Sequence, residues 1–154
     1  MCRSPWISAA LRYNQRGVGA STGSRQLRGG KDFLDVLDMV DHLSNELPPS
    51  PDNKVVVVGY SWGSCVAVHA LKQPLAGAYV GLSFPLGGLS AVLGTRSHFA
   101  MLAQTSHVPR LLIMGSQDSF TGEAAIKQSV LSAPGGPFAT RRRQLHGRGT
   151  GGRF

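Results

Sequence analysis

The sequence predicts an α/β fold, a mostly parallel sheet flanked by helices, and three observations carry that expectation. The run Val55-Val56-Val57-Val58 is apolar at every position rather than at alternate ones, the pattern of a parallel strand covered on both faces. Residues 31–47, KDFLDVLDMVDHLSNEL, place Phe33, Leu37, Val40, Leu43 and Leu47 at helical steps, which makes one apolar stripe along a helix. Segments of the two kinds then alternate along the chain, the grammar of a parallel sheet with right-handed crossovers.

Taken in order, the predicted strands are residues 7–13 (ISAALRY), 54–58 (KVVVV), 78–84 (AYVGLSF) and 110–114 (RLLIM). The helix over 31–47 turns Asp32, Asp35, Asp38 and Asp41 largely to solvent, and Pro48-Pro49 ends it because proline cannot donate to the helix ladder. A second helix is expected over 63–73, stopped by Pro74. Residues 134–154, PGGPFATRRRQLHGRGTGGRF, break the alternation. Glycine, arginine and proline dominate there, so residues 1–131 are expected to form the domain and residues 132–154 a disordered Arg/Gly-rich tail.

A chain of 154 residues suits one domain. Its formal net charge of +8 resembles a nucleic-acid signal until it is divided along the sequence. Residues 1–30 hold five arginines and no acid, residues 124–154 hold six Lys/Arg and no acid, and the stretch between holds all eight acids against five bases. With a single GRG and no aromatic-flanked repeat in the tail, nucleic-acid binding is not the expected role. No run approaches the roughly 18 apolar residues of a membrane span. The two cysteines, Cys2 and Cys65, give neither a disulfide framework nor metal-ligand spacing, which suits the cytoplasm. The basic, acid-free first thirty residues also resemble an organelle transit peptide, which keeps that destination open.

The chemistry centres on Gly59-Tyr60-Ser61-Trp62-Gly63. A bare GxSxG arises by chance about 0.25 times in a chain of this composition, so its context decides. VVVV precedes it and SCVAVHALK follows, the strand and helix that a serine on a strained turn requires. Gly59 and Gly63 leave room for the turn, and the backbone N–H of Trp62, opening the helix, faces a developing oxyanion. A serine hydroxyl is a weak nucleophile without a base and an orienting acid. Asp118, just after the RLLIM strand, is the candidate acid, and His146, 28 residues later, is the only histidine that follows it.

LRYNQRGVGASTG, VVVVGYSWGS, GLSFPLGGLSAVL and PRLLIMGSQDSFTG, in that order, together resemble the α/β-hydrolase superfamily, in particular small serine hydrolases of the dienelactone-hydrolase or serine-aminopeptidase type. The resemblance implies Ser61 as nucleophile, Asp118 as acid and the Trp62 N–H as one oxyanion donor. Members of that superfamily begin with further strands; the third of these lies between the fourth and fifth, and the loop after it supplies the other oxyanion donor. This chain looks truncated to the fourth strand onward. Either residues 7–13 move over to pair with the valine strand, or that strand keeps an open apolar edge. At the other end, FATRRRQL stands where a last strand would lead into His146. Three consecutive arginines do not suit a strand buried on both faces, so the last strand is expected to be missing as well.

The expected function is hydrolysis of a small-molecule ester, thioester or amide through an acyl-enzyme, with no cofactor and no metal. A catalytically dead remnant or binding module is the alternative. A third reading takes Gly17-Val18-Gly19 through Gly23, with Asp35 or Asp38 downstream, as a dinucleotide loop, although its spacing is GxGxxxG rather than GxGxxG. Residues 87–107 are apolar enough to suggest a modest hydrophobic pocket for substrate.

Overall fold

The computed structural model describes residues 7–26, 30–88, 90–116, 118–131 and 139–143. The elements are α1 (Lys31–Glu46), β1 (Val55–Tyr60), α2 (Trp62–Ala67, running on as a 3-10 turn over Val68–Lys72), β2 (Ala76–Leu82), α3 (Ser90–Leu93), α4 (Thr95–Gln104), β3 (Arg110–Gly115), α5 (Glu123–Leu131) and β4 (Ala139–Arg143). The four strands form one sheet in the order β1-β2-β3-β4, every pair parallel. Every carboxyl end therefore emerges at the same edge, and the loops gathered there hold the candidate site. No helix among the described residues is long and apolar enough to cross a membrane.

One core holds the layers together. Val57, Tyr79 and Leu112, one from each of the first three strands, pack with Val36 and Val40 of α1, Cys65 and Val66 of α2, Leu102 of α4 and Ile126 of α5. The valine run is covered less completely than its composition suggests. Burial alternates along β1, with Val57 8% exposed while Val56, Val58 and Tyr60 are 58%, 59% and 70% exposed. Residues 7–13 form no strand, so among the described residues β1 has β2 on one side and no strand on the other. Of the two arrangements the sequence left open, the open apolar edge is the one that forms.

The reason lies in the turn that follows. Gly17 N–H donates to Thr22 O (3.1 Å) and Val18 N–H to Gln15 O (3.0 Å), closing a compact loop. Arg16 ties that loop to α1, its Nε donating to Asp35 Oδ2 at 2.8 Å and lying 3.3 Å from Asp32 Oδ1. The preceding segment is thus held beside α1 rather than against β1. The same pairing corrects the expectation for α1, because Asp32 is buried and Asp35 half-buried instead of facing solvent.

The far end of the sheet differs from the expectation too. β4 forms within the predicted tail, Ala139 pairing with Leu111 and Arg143 with Gly115. An edge strand needs backbone partners on one side only, so a sequence unsuited to the middle of a parallel sheet can still add to its margin.

Candidate active site at the carboxyl edge of the sheet

Ser61 leaves β1 on a backbone that few side chains adopt, with φ 51° and ψ −125°. That region is essentially reserved for glycine, and Ser61 and Ser83 are the positive-φ non-glycine residues among those described. The turn is held from several sides. Ser61 N–H donates to Leu82 O at 2.9 Å, and Ser64 donates through both N–H (2.9 Å) and Oγ (2.5 Å) to Ser61 O. Tyr79, a residue 1% exposed, donates its hydroxyl to Ser64 O at 2.8 Å, and burial pushes its pKa up. Such over-determination lets a strained residue persist.

The two glycines have unequal roles. A Cβ on Gly59 would fall 2.4 Å from Gly63 O and 2.5 Å from Ser64 Cα, so the crossing of strand and helix excludes any side chain there. A Cβ on Gly63 would meet only Gln15 Nε2, at 3.9 Å. Room for the turn therefore comes from Gly59. The Trp62 N–H, in the first turn of α2, has no acceptor within the helix, while the Trp62 ring packs edge-on against His98, with centroids 5.8 Å apart.

Asp118 follows β3 at the same sheet edge. With β2 between them, the ends of β1 and β3 stand about 10 Å apart at ordinary strand spacing. Asp118 Oδ1 accepts from Phe120 N–H (2.9 Å) and Thr121 N–H (3.0 Å). Thr121, fully buried, donates its hydroxyl to Phe84 O (2.9 Å) and accepts from Leu86 N–H (2.7 Å). The acid-bearing loop is thereby fastened to the loop after β2, a connection the sequence does not signal. His146 lies outside the described residues, three positions beyond the end of β4.

The described histidines that are buried do something else. His69 Nε2 and His98 Nδ1 lie 3.2 Å apart, and Phe33 stacks on His69 with centroids 3.8 Å apart. Burial first, then the proximity of His98 and Lys72, pushes the His69 pKa down to about 4, and burial lowers that of His98. Both rings are engaged with each other in the interior; spacing along the chain, 29 residues, could not have revealed the pair. Cys65 is fully buried, and burial pushes its thiol up to about 12. Among the described residues no group of three or more His, Cys, Asp or Glu could hold a metal ion.

Two other expectations change. The GVGASTG loop neither follows a strand nor opens directly into a helix, since α1 begins only at Lys31. Asp35, one of the two acids downstream of that loop, is bound to Arg16. Within residues 87–107, α4 turns Thr95, His98, Phe99, Leu102 and Ala103 into the core.

No family model matches the chain, and no curated protein matches it. Among solved structures it is similar to an alpha-beta serine hydrolase homologue from Coxiella burnetii, with a TM-score of 0.60 at 22% sequence identity, over 84% of this chain and 56% of that one. The likeness is one of fold: a parallel sheet flanked by helices of the α/β-hydrolase kind. The chain spans little more than half the length of that neighbour.

Proposed function

We propose that this chain carries the nucleophile-bearing part of a serine hydrolase acting on a small-molecule ester, thioester or amide. The observation that supports it most is the backbone of Ser61, φ 51° and ψ −125° on a turn whose crossing admits only glycine at position 59. A fold keeps a costly conformation where it places a group to advantage, and here it puts a hydroxyl at the carboxyl edge of a parallel sheet. Ser61 Oγ would attack the carbonyl carbon, and the Trp62 N–H would donate to the oxygen as negative charge develops on it. His146 would take the serine proton and return it to the leaving group. Asp118 would orient that histidine through Oδ2, since Oδ1 is held by backbone N–H groups. The parallel direction of β4 favours this assignment. Its last residue, Arg143, pairs with Gly115 at the sheet edge where Asp118 follows, and three residues reach about 10 Å.

A fluorophosphonate probe tests the reading. It should label wild type at Ser61 and leave Ser61→Ala unlabelled, with His146→Ala slowing labelling by a hundredfold or more. A cooperatively folded sample that takes no label would leave the catalytically silent binding module as the better account. The bare edge of β1 favours that alternative.

A further inference from the structure

We propose that Ser64 is a positioning residue for the oxyanion donor: its hydroxyl and its N–H, both bound to Ser61 O, hold the Ser61–Trp62 peptide so that the Trp62 N–H stays on the side of the serine nucleophile. This rests on the reading of Ser61 as nucleophile.

The dihedral angles point to it first. In an L residue Cβ stands a third of a turn from the backbone nitrogen around the Cα–C bond. A ψ of −125° at Ser61 therefore turns the Trp62 nitrogen onto the side of Ser61 Cβ. The described peptide bonds are trans, and in a planar trans peptide the N–H points opposite to the C=O. Whatever grips the Ser61 carbonyl thus also aims the Trp62 N–H. Rotation about ψ would swing the donor away from the serine it serves.

Ser64 supplies the grip. Its Oγ donates to Ser61 O at 2.5 Å and its N–H to the same oxygen at 2.9 Å. Serine in a helix often bonds back to a carbonyl one turn earlier. Here the acceptor is the carbonyl of the strained residue itself, so the bond acts on the peptide that carries the donor. Ser64 is 0% exposed, so water does not compete for its hydroxyl. It is held in turn by the Tyr79 hydroxyl, which donates to Ser64 O. A Cβ on Gly81 would fall 2.7 Å from that hydroxyl oxygen, so Gly81 is what lets the phenol reach along β2 to the helix. Two donors on one carbonyl also polarise its amide, which makes the Trp62 N–H a stronger donor.

Packing is the competing account. A Cβ on Gly59 would fall 2.5 Å from Ser64 Cα, so position 64 needs a small residue whatever its chemistry. Alanine and cysteine bracket serine in size and replace its hydroxyl with no donor and with a weak one.

The experiment compares wild type, Ser64→Ala and Ser64→Cys, each checked for cooperative unfolding, by fluorophosphonate labelling of Ser61. The phosphoryl oxygen of the reagent takes the oxyanion position, and the limiting labelling rate is measured apart from the half-saturating concentration. Both variants should label about tenfold more slowly, less than the 10²–10³-fold of a donor lost outright, with half-saturation and final stoichiometry unchanged. Amide exchange at residues 61 and 64, whose N–H groups donate to Leu82 O and Ser61 O, should quicken about tenfold in both variants, while that at Tyr79, whose N–H donates to Pro109 O, should not change. A wild-type labelling rate in Ser64→Ala would overturn the proposal. A wild-type rate in Ser64→Cys alone would overturn it in favour of packing. If wild type takes no label, the nucleophile reading fails by itself and amide exchange decides whether Ser64 grips the turn: unchanged exchange at residues 61 and 64 would overturn that role, and faster exchange confined to them would sustain it.

Discussion

Replacing Ser61 by glycine and by alanine separates what its side chain does from what its backbone endures. Both variants lose the hydroxyl, so both should fail to take a fluorophosphonate label. They differ in what they do with φ 51° and ψ −125°. Alanine keeps a Cβ in a region that costs a non-glycine residue about 1–3 kcal/mol. Glycine escapes that cost, but the unfolded chain with glycine has more conformational freedom, which takes back about 0.5–1 kcal/mol. Ser61→Gly should therefore be more stable than Ser61→Ala by about 1 kcal/mol, where at an ordinary position the order is reversed. Urea denaturation followed by circular dichroism reads the difference as a higher midpoint at an unchanged slope, and heating should show a gap of about 3 °C in Tm. Equal midpoints, or a lower one for Ser61→Gly, would mean that the turn stores no strain, and the argument from strain to a placed nucleophile would collapse.

The glycines beside it give a paired expectation in the same assay. Gly59→Ala forces a Cβ to within 2.4 Å of Gly63 O and should cost at least about 2 kcal/mol, whereas Gly63→Ala, with 3.9 Å to its nearest neighbour, should be neutral or gain up to about 1 kcal/mol. The buried histidines predict a pH effect. The unfolded chain takes up protons near pH 6.5 and the folded His69 only near 4, so stability is retained above about pH 6.5 and falls as pH drops through that window. Between pH 6.5 and 5 one fully shifted histidine accounts for about 2 kcal/mol, reduced to about 1 by solvent screening; denaturation midpoints in wild type and His69→Phe should show the slope in the first and a flatter one in the second. Thr121→Val leaves Leu86 N–H and Phe84 O without their buried partner and should cost about 2 kcal/mol, with Thr121→Ser restoring most of it.

The parts of the fold legible in the sequence are those written in local pattern. The valine strand, the helix over 31–47 and the serine between them follow from apolar runs, helical spacing and glycine placement, which depend on near neighbours. What stayed hidden depends on groups distant in sequence. Apolarity at four successive valines reports tolerance for burial, and only the position of α1 and of residues 11–15 leaves Val56 and Val58 uncovered. Asp32 reads as a surface acid until Arg16, sixteen residues earlier, reaches it. β4 reads as tail because side-chain pattern says little about a strand that joins through its backbone. The His69–His98 contact joins α4 to the turn after α2. In the site, Ser61 and Asp118 are marked by the elements that precede them, but the threonine fastening the acid loop carries no motif at all.

The order β1-β2-β3-β4 repeats the order of synthesis. Each strand pairs with the one made just before it, but always through a crossover rather than a tight hairpin, and non-local parallel pairing of this kind is slow to form. A sheet that grows in one direction as the polypeptide emerges always has a fresh margin for the next strand, and β4 is the last described strand to use it. Its first margin has a different history. The outer side of β1 exists before any later strand is made, and no described strand returns to claim it.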